Sequence, residues 1–151
     1  MLHRTAAFAA AALMALVAQE PAHAREPVEV TVTSGFLSKH AGSRQYNERN
    51  GGIGLRIDSG TFAGWTIGSY RNSLGRTTVY VAHEWQRQLV GPLHVGLVAG
   101  VATGYNVPVM PAVLPEAVLH IGDRVEVALL VQPVNLRESP AFAALQFRFK
   151  L

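Results

Sequence analysis

Apolar residues fall on every second position over long stretches of this chain, and a period of two belongs to a β-strand, not to a helix. Ile53, Leu55 and Ile57 alternate with Gly52, Gly54, Arg56 and Asp58. The pattern returns in Leu93, Val95, Leu97, Ala99 and Val101, and again in Val125, Val127, Leu129 and Val131, with the apolar face always on the odd numbers. The C-terminal stretch sets Leu145, Phe147, Phe149 and Leu151 against Gln146, Arg148 and Lys150, an alternating aromatic ending expected of outer-membrane barrels. Further strands near 28–37, 62–70, 77–86 and 113–121 bring the count to about eight, the smallest usual even number for a barrel in lipid. The expected fold is all-β, an eight-stranded antiparallel outer-membrane β-barrel. A soluble, lipocalin-like barrel shows the same alternation with its apolar face turned inward, and alternation alone does not separate the two.

Residues 1–24 read as a secretory signal peptide, with His3 and Arg4 at its start, an apolar run from Thr5 to Ala18, and Ala22-His23-Ala24 before a cleavage expected ahead of Arg25. A single-pass anchor is the competing reading, but the run is short for a bilayer span. Residues 25–151 are then one β-barrel domain, with no linker and no repeat. An exported chain that is 49% hydrophobic and has no long apolar run fits a periplasmic protein or a membrane barrel, the second structure that satisfies every backbone group in lipid. The net charge of +3 is spread out and is not a nucleic-acid footprint. Without cysteine there are no disulfides, thiol nucleophiles or Cys-ligated metals. His83, His94 and His120 lie on separate strands without HExxH spacing, so no metal and no cofactor are expected. Gly51-Gly52-Ile53-Gly54 opens a strand, which argues against a nucleotide loop.

Turn lengths orient the barrel. Connections at Ser59-Gly60, from Gln88 to Pro92 and at Gly122-Asp123 are short, and those near 38–51, 71–76, 104–111 and 133–140 are longer. Short turns belong on the periplasmic side, which places Trp65, Trp85, Phe147 and Phe149 at an aromatic girdle. If the barrel sits in lipid, the inner face divides by height. Arg56, Asp58, Glu84, Arg124, Glu126, Arg148 and Lys150 form a mixed-charge group toward the periplasm, suited to a buried network. Gly52, Gly68, Tyr70, Tyr80, Gly100, Ala102, Leu130, Phe142 and Ala144 make the other half small or apolar. Such an interior has room for an acyl chain, although these residues alone fit a solid, self-packed barrel better.

The loop Ser69-Tyr70-Arg71-Asn72-Ser73-Leu74-Gly75-Arg76 sets a candidate nucleophile at the barrel lip. Ser73 is that candidate, and Arg71 and Arg76 can position phosphates. The plain alternatives are that Asn-Ser before Gly is turn chemistry and that a loop His is simply solvated.

Taken together, these residues resemble the lipid A palmitoyltransferase family, PagP. The similarity runs through Tyr46-Asn47-Glu48-Arg49-Asn50-Gly51-Gly52-Ile53-Gly54-Leu55, through Arg71-Asn72-Ser73 followed by Trp85, and through the proline-rich segment from Val107 to Pro115. It covers the chain from about Tyr46 onward. The resemblance implies an eight-stranded outer-membrane barrel that moves an acyl chain from a phospholipid to lipid A in the outer leaflet, working as a monomer without cofactor or nucleic acid. Acyl transfer needs a nucleophile or proton acceptor, a base and oxyanion donors, and the resemblance implies that Ser73 activates or carries the acyl acceptor, that His40 acts as base and that Asn72 with backbone N–H groups holds the oxyanion, with Asn72 standing where the family has Asp. It implies a lateral lipid door where Pro115 and Pro133 interrupt strand pairing, while Asn50 stands where a second door would have Pro. The family's Gly that sets acyl-chain depth is matched by Glu84, which predicts a shallower pocket and a chain shorter than palmitate, with Arg124 as a partner for the carboxylate. There is no room for the family's N-terminal amphipathic helix. A non-catalytic barrel of the same fold, binding lipopolysaccharide or supporting the envelope, is the alternative, and a periplasmic lipid-binding barrel is a third.

Overall fold

The alternation along each strand builds a wall with two unlike faces, and the wall closes on itself. The computed structural model describes residues 28–42, 45–58, 60, 63–135 and 140–151; the expected signal peptide lies outside them. The strands are β1 (Glu29–His40), β2 (Arg49–Asp58), β3 (Ala63–Arg71), β4 (Thr77–Val90), β5 (Leu93–Ala102), β6 (Met110–Ile121), β7 (Val125–Gln132) and β8 (Phe142–Lys150). Each pairs antiparallel with its neighbours in sequence, and β8 returns to β1 to close the barrel. Three strands are longer than the alternation indicates: β1 continues to His40, β4 to Val90, and β6 begins at Met110. The short turns lie at one end and the long loops at the other, as expected.

Ile53, Leu55, Ile57, Ile67, Val81, Leu97 and Phe147 are exposed on the outer face, while Arg56, Asp58, Glu84, Glu126 and Arg148 are buried inside. A soluble barrel requires the opposite, so the barrel is of the transmembrane kind, with its apolar band outward. Trp65, Trp85, Phe147 and Phe149 project from the short-turn half of that band. The imidazole of His83 lies between the two indoles, 4.7 Å from Trp65 and 4.4 Å from Trp85. Arg124 departs from the expected inner set. It belongs to the exposed turn between β6 and β7, because the strand begins only at Val125, and it takes no part in the internal network.

One irregularity in the wall matters for the interior. Thr31 and Thr33 face inward on odd positions, but Phe36, Ser38 and His40 face inward on even ones and line the cavity described below. The switch occurs at a bulge, where the register shifts between Ser34 and Phe36 against β2 and between Thr33 and Phe36 against β8. A bulge re-aims every residue beyond it. Gly35 makes this one possible: a Cβ there would meet the Asn50 carbonyl oxygen at 2.0 Å and the Gly52 nitrogen at 2.4 Å.

The seam between β6 and β7 is incomplete. β6 pairs with β5 from Met110 to Leu119, but with β7 only from Glu116 to Ile121. Pro111 and Pro115 are four residues apart, so their missing N–H donors face the same neighbour. The pairing that fails beside them is the one with β7, and Pro133 follows directly on the end of that strand.

Candidate functional site

The lower interior, toward the short turns, is a connected set of charges. Glu84 Oε2 lies 3.0 Å from Arg148 Nη1 and 3.1 Å from Arg56 Nε, and Glu84 Oε1 accepts from Thr66 Oγ1 at 2.9 Å. Arg148 Nη2 reaches Glu116 Oε2 at 3.1 Å, and its Nε donates to Gln146 Oε1 at 2.9 Å. Gln86 Nε2 donates to the other oxygen of Glu116 at 2.9 Å. Arg56 Nη2 meets Asp58 at 2.7 Å, and Lys150 meets Glu126 at 3.3 Å and Glu29 at 2.8 Å. The partners of Glu84 are therefore Arg56 and Arg148, not Arg124. Apart from Glu29 and Lys150 at the short-turn end, these groups are buried, and buried charges persist only when paired and hydrogen-bonded. Together they form a solid polar floor.

Above that floor the barrel is hollow. Two stacked cavities of about 110 Å³ and about 90 Å³ share walls formed by Phe36, Tyr70, Ala102, Ala112, Leu114 and Leu130. The lower one ends on Glu84, Gln146 and Arg148. The upper one reaches the long loops. Pockets for drug-sized ligands run to roughly 300–1,000 Å³, so this shaft is narrow and suits a slender apolar group. Of the small and apolar residues expected in the upper half, Tyr70, Ala102, Leu130, Phe142 and Ala144 line the upper cavity and Tyr80 and Gly100 the lower one, whereas Gly52 and Gly68 line neither.

The rim carries the candidate chemistry. His40 and Ser73 line the same upper cavity, although β1 and the β3–β4 loop bring them from opposite sides of the sequence. The His40 ring stacks on Tyr46 at 4.6 Å and packs near Phe142 at 5.6 Å, and its Nδ1 is buried without a hydrogen-bond partner among the described residues. The Ser73 carbonyl accepts from the Asn47 N–H at 2.9 Å, which ties the β1–β2 loop to the β3–β4 loop. Ser73 also faces the outer groove lined by Gln45, Asn47, Arg76 and Asn106.

Asn72 stands elsewhere. Its side chain is fully buried and every polar atom is engaged. Nδ2 donates to Gly104 O at 2.8 Å and to Thr78 Oγ1 at 3.1 Å. Oδ1 accepts from the backbone N–H groups of Leu74 at 3.0 Å and Arg76 at 2.9 Å. With both donors committed, the carboxamide is the brace of its loop and offers nothing to an oxyanion. Arg71 and Arg76 are exposed at the rim, and neither meets a carboxylate among the described residues. Arg76 Nη1 reaches the carbonyl of Tyr105 at 3.3 Å.

Several residues of the site escaped the sequence reading. Phe36, Ser38 and Tyr105 line the cavity, and Asn50, read from the sequence only against a second lipid door, is buried in the site, accepting from Ser38 Oγ at 2.6 Å and donating to the Arg71 carbonyl at 2.8 Å. Glu116, hidden behind Pro115, carries half of the Arg148 pairing. Its one signal is an acidic residue on an even position in a strand whose even face points inward.

No family model and no curated protein matches the chain. Among solved structures, the chain is similar to a de novo designed transmembrane β-barrel, with a TM-score of 0.63 at 11% identity, over 84% of this chain and 98% of that one. At that identity the likeness concerns the fold alone: a closed, eight-stranded transmembrane-type barrel.

Proposed function

We propose that this chain is an outer-membrane acyltransferase, moving one acyl chain from a phospholipid to lipid A or a related glycolipid in the outer leaflet. The observation that carries this reading is that His40 and Ser73 share the wall of one cavity, whose apolar shaft ends on a charged floor. The long-loop end then faces outward, with residues 1–24 as the export signal. The donor's chain enters the shaft, and the unpaired seam beside Pro115 and Pro133 is its lateral access from lipid. Ser73 orients the accepting hydroxyl and His40 takes its proton. Arg71 and Arg76 at the rim suit the phosphates of both lipids. The barrel acts as a monomer and needs no cofactor.

The floor sets the chain length. From Thr78 at the rim to Glu84 at the floor is six residues of β4, about 20 Å at roughly 3.3 Å per residue. At a strand tilt near 40° that is about 15 Å of depth, less than an extended palmitoyl chain. The transferred chain is therefore shorter than palmitate, as Glu84 at the family's glycine position also indicates.

A non-catalytic barrel that binds lipopolysaccharide is the second reading, favoured by Asn72, which replaces a charged residue of the resembling family and is spent on the loop. Mass spectrometry of lipid A separates the two. Cells expressing the intact protein are expected to gain the mass of one acyl chain, and cells expressing Ser73→Ala or His40→Ala at equal outer-membrane abundance are not. Folded intact protein with no mass gain rules out the transferase.

A further inference from the structure

With Asn72 committed to its loop, the proposed reaction lacks an oxyanion donor, and the cavity wall offers two. We infer that the hydroxyl pair of Tyr70 and Tyr105 binds the acyl carbonyl and stabilises the oxyanion that forms on it. This inference rests on the acyl-transfer reading above and adds two catalytic residues to it.

The two hydroxyl oxygens are 2.8 Å apart, and both rings line the cavity that holds His40 and Ser73. Tyr70 lies one residue before the end of β3 and Tyr105 in the β5–β6 loop, so the pair spans the rim where the carbonyl of a chain standing in the shaft comes to rest. A pair of hydroxyls at this distance uses one proton between them. The second proton can rest on Thr78, the hydroxyl neighbour of both tyrosines, and turns from it to an acceptor that enters the cavity.

Both rings are held before any ligand arrives, which is what oxyanion stabilisation needs. Tyr70 packs edge-on against Phe36 at 5.0 Å and against Tyr80 at 5.7 Å. Tyr105 is drawn in by its loop. The Gly104 carbonyl accepts from Asn72 Nδ2, and the Tyr105 carbonyl accepts from Arg76. Gly104 has φ +80°, and a Cβ there would meet the Thr77 carbonyl oxygen at 2.2 Å, so only glycine lets this loop cross so close to β4. Burial pushes the Tyr105 phenol above its ordinary value, which keeps it protonated and a donor.

The step balances as an ester exchange. The accepting hydroxyl gives its proton to His40 while its oxygen bonds to the acyl carbon, and the carbonyl π pair moves onto oxygen, where the tyrosine hydroxyls donate to it. The pair then returns, the bond to the phospholipid's glycerol oxygen breaks, and that oxygen takes the proton from His40. Nothing is oxidised or reduced.

The test uses the purified full barrel in detergent, with didecanoyl phosphatidylethanolamine as donor and lipid A as acceptor. Tyr70→Phe and Tyr105→Phe are compared with the intact protein after each is shown folded by its resistance to unheated SDS. Each variant is expected to lose about 10² in kcat, the scale of one oxyanion donor, with KM within about twofold. If the intact protein transfers the chain and both variants keep its kcat, the tyrosine role is overturned while the His40 and Ser73 reading stands. A rise in KM with kcat unchanged also overturns it, because that is ground-state binding. A folded but inactive intact protein removes both readings together. Tyr105 lies in a loop, so its variant decides alone if Tyr70→Phe fails to fold.

Discussion

Asn72 shows how one atom can change what a position is able to do. A carboxylate in its place accepts but cannot donate, and here two donations, to Gly104 O and Thr78 Oγ1, hold the β3–β4 and β5–β6 loops together. Asn72→Asp, which restores the residue of the resembling family, is therefore expected to weaken this chain. It sets a fully buried charge against a carbonyl oxygen, at a cost of about 1–3 kcal/mol or more for the lost bonds, and acyl transfer does not rise. Urea unfolding in detergent micelles, read beside the transfer rate, checks both halves. A variant with higher activity and unchanged stability means that the carboxamide is not a brace. The loop pattern at this position was legible as turn chemistry, but which atoms the side chain binds was not. Leu74, Arg76 and Thr78 lie within six residues of it, but the Gly104 carbonyl comes from the β5–β6 loop, and no local spacing announces that contact.

At the scale of the strand, β1 and the ion network carry the argument. In β2, β5 and β7 the even face points inward from end to end, as their alternation indicates. β1 breaks that rule at Gly35, and a strict period of two from Thr31 and Thr33 would turn His40 out of the barrel. A glycine inside a strand marks a possible bulge, but the switch itself depends on the register shifts against β2 and β8. Gly35→Ala is expected to abolish transfer and to lower the yield of folded barrel, because its Cβ falls on the Asn50 carbonyl and on the backbone of Gly51 and Gly52. Folding yield into vesicles measures this, and a normal yield with normal activity contradicts it. The floor behaves differently. Arg148 is enclosed between Glu84 and Glu116, so Arg148→Met leaves two buried carboxylates short of their partner. Removing one member of a buried pair costs about 3–5 kcal/mol, and a urea midpoint close to that of the intact protein excludes the role given to the network.

Across the whole molecule, the outer face meets an apolar medium, the lower interior is filled by paired charges, and the upper interior is left hollow. A barrel of eight strands is just wide enough for side chains to fill or for one small ligand to enter, and this one divides its interior between the two. Three small residues, Ala102, Ala112 and Ala144, keep the hollow open. Ala102 lines both cavities and is 8% exposed, so it controls the joint between them. Ala102→Leu puts three further carbons into that joint. Filling a void in this way commonly adds about 0.5–2 kcal/mol to stability, and the same carbons block the shaft above its floor. The variant is therefore expected to unfold at higher urea concentration than the intact protein and to transfer a shorter chain, or none. Stability and lipid A mass, measured on one preparation, make the two effects separable. A more stable barrel that still adds the full-length chain means that the acyl group does not occupy the shaft, and the site must then be sought on the outer wall. A less stable barrel means that the wall is packed tighter than the cavity volumes indicate.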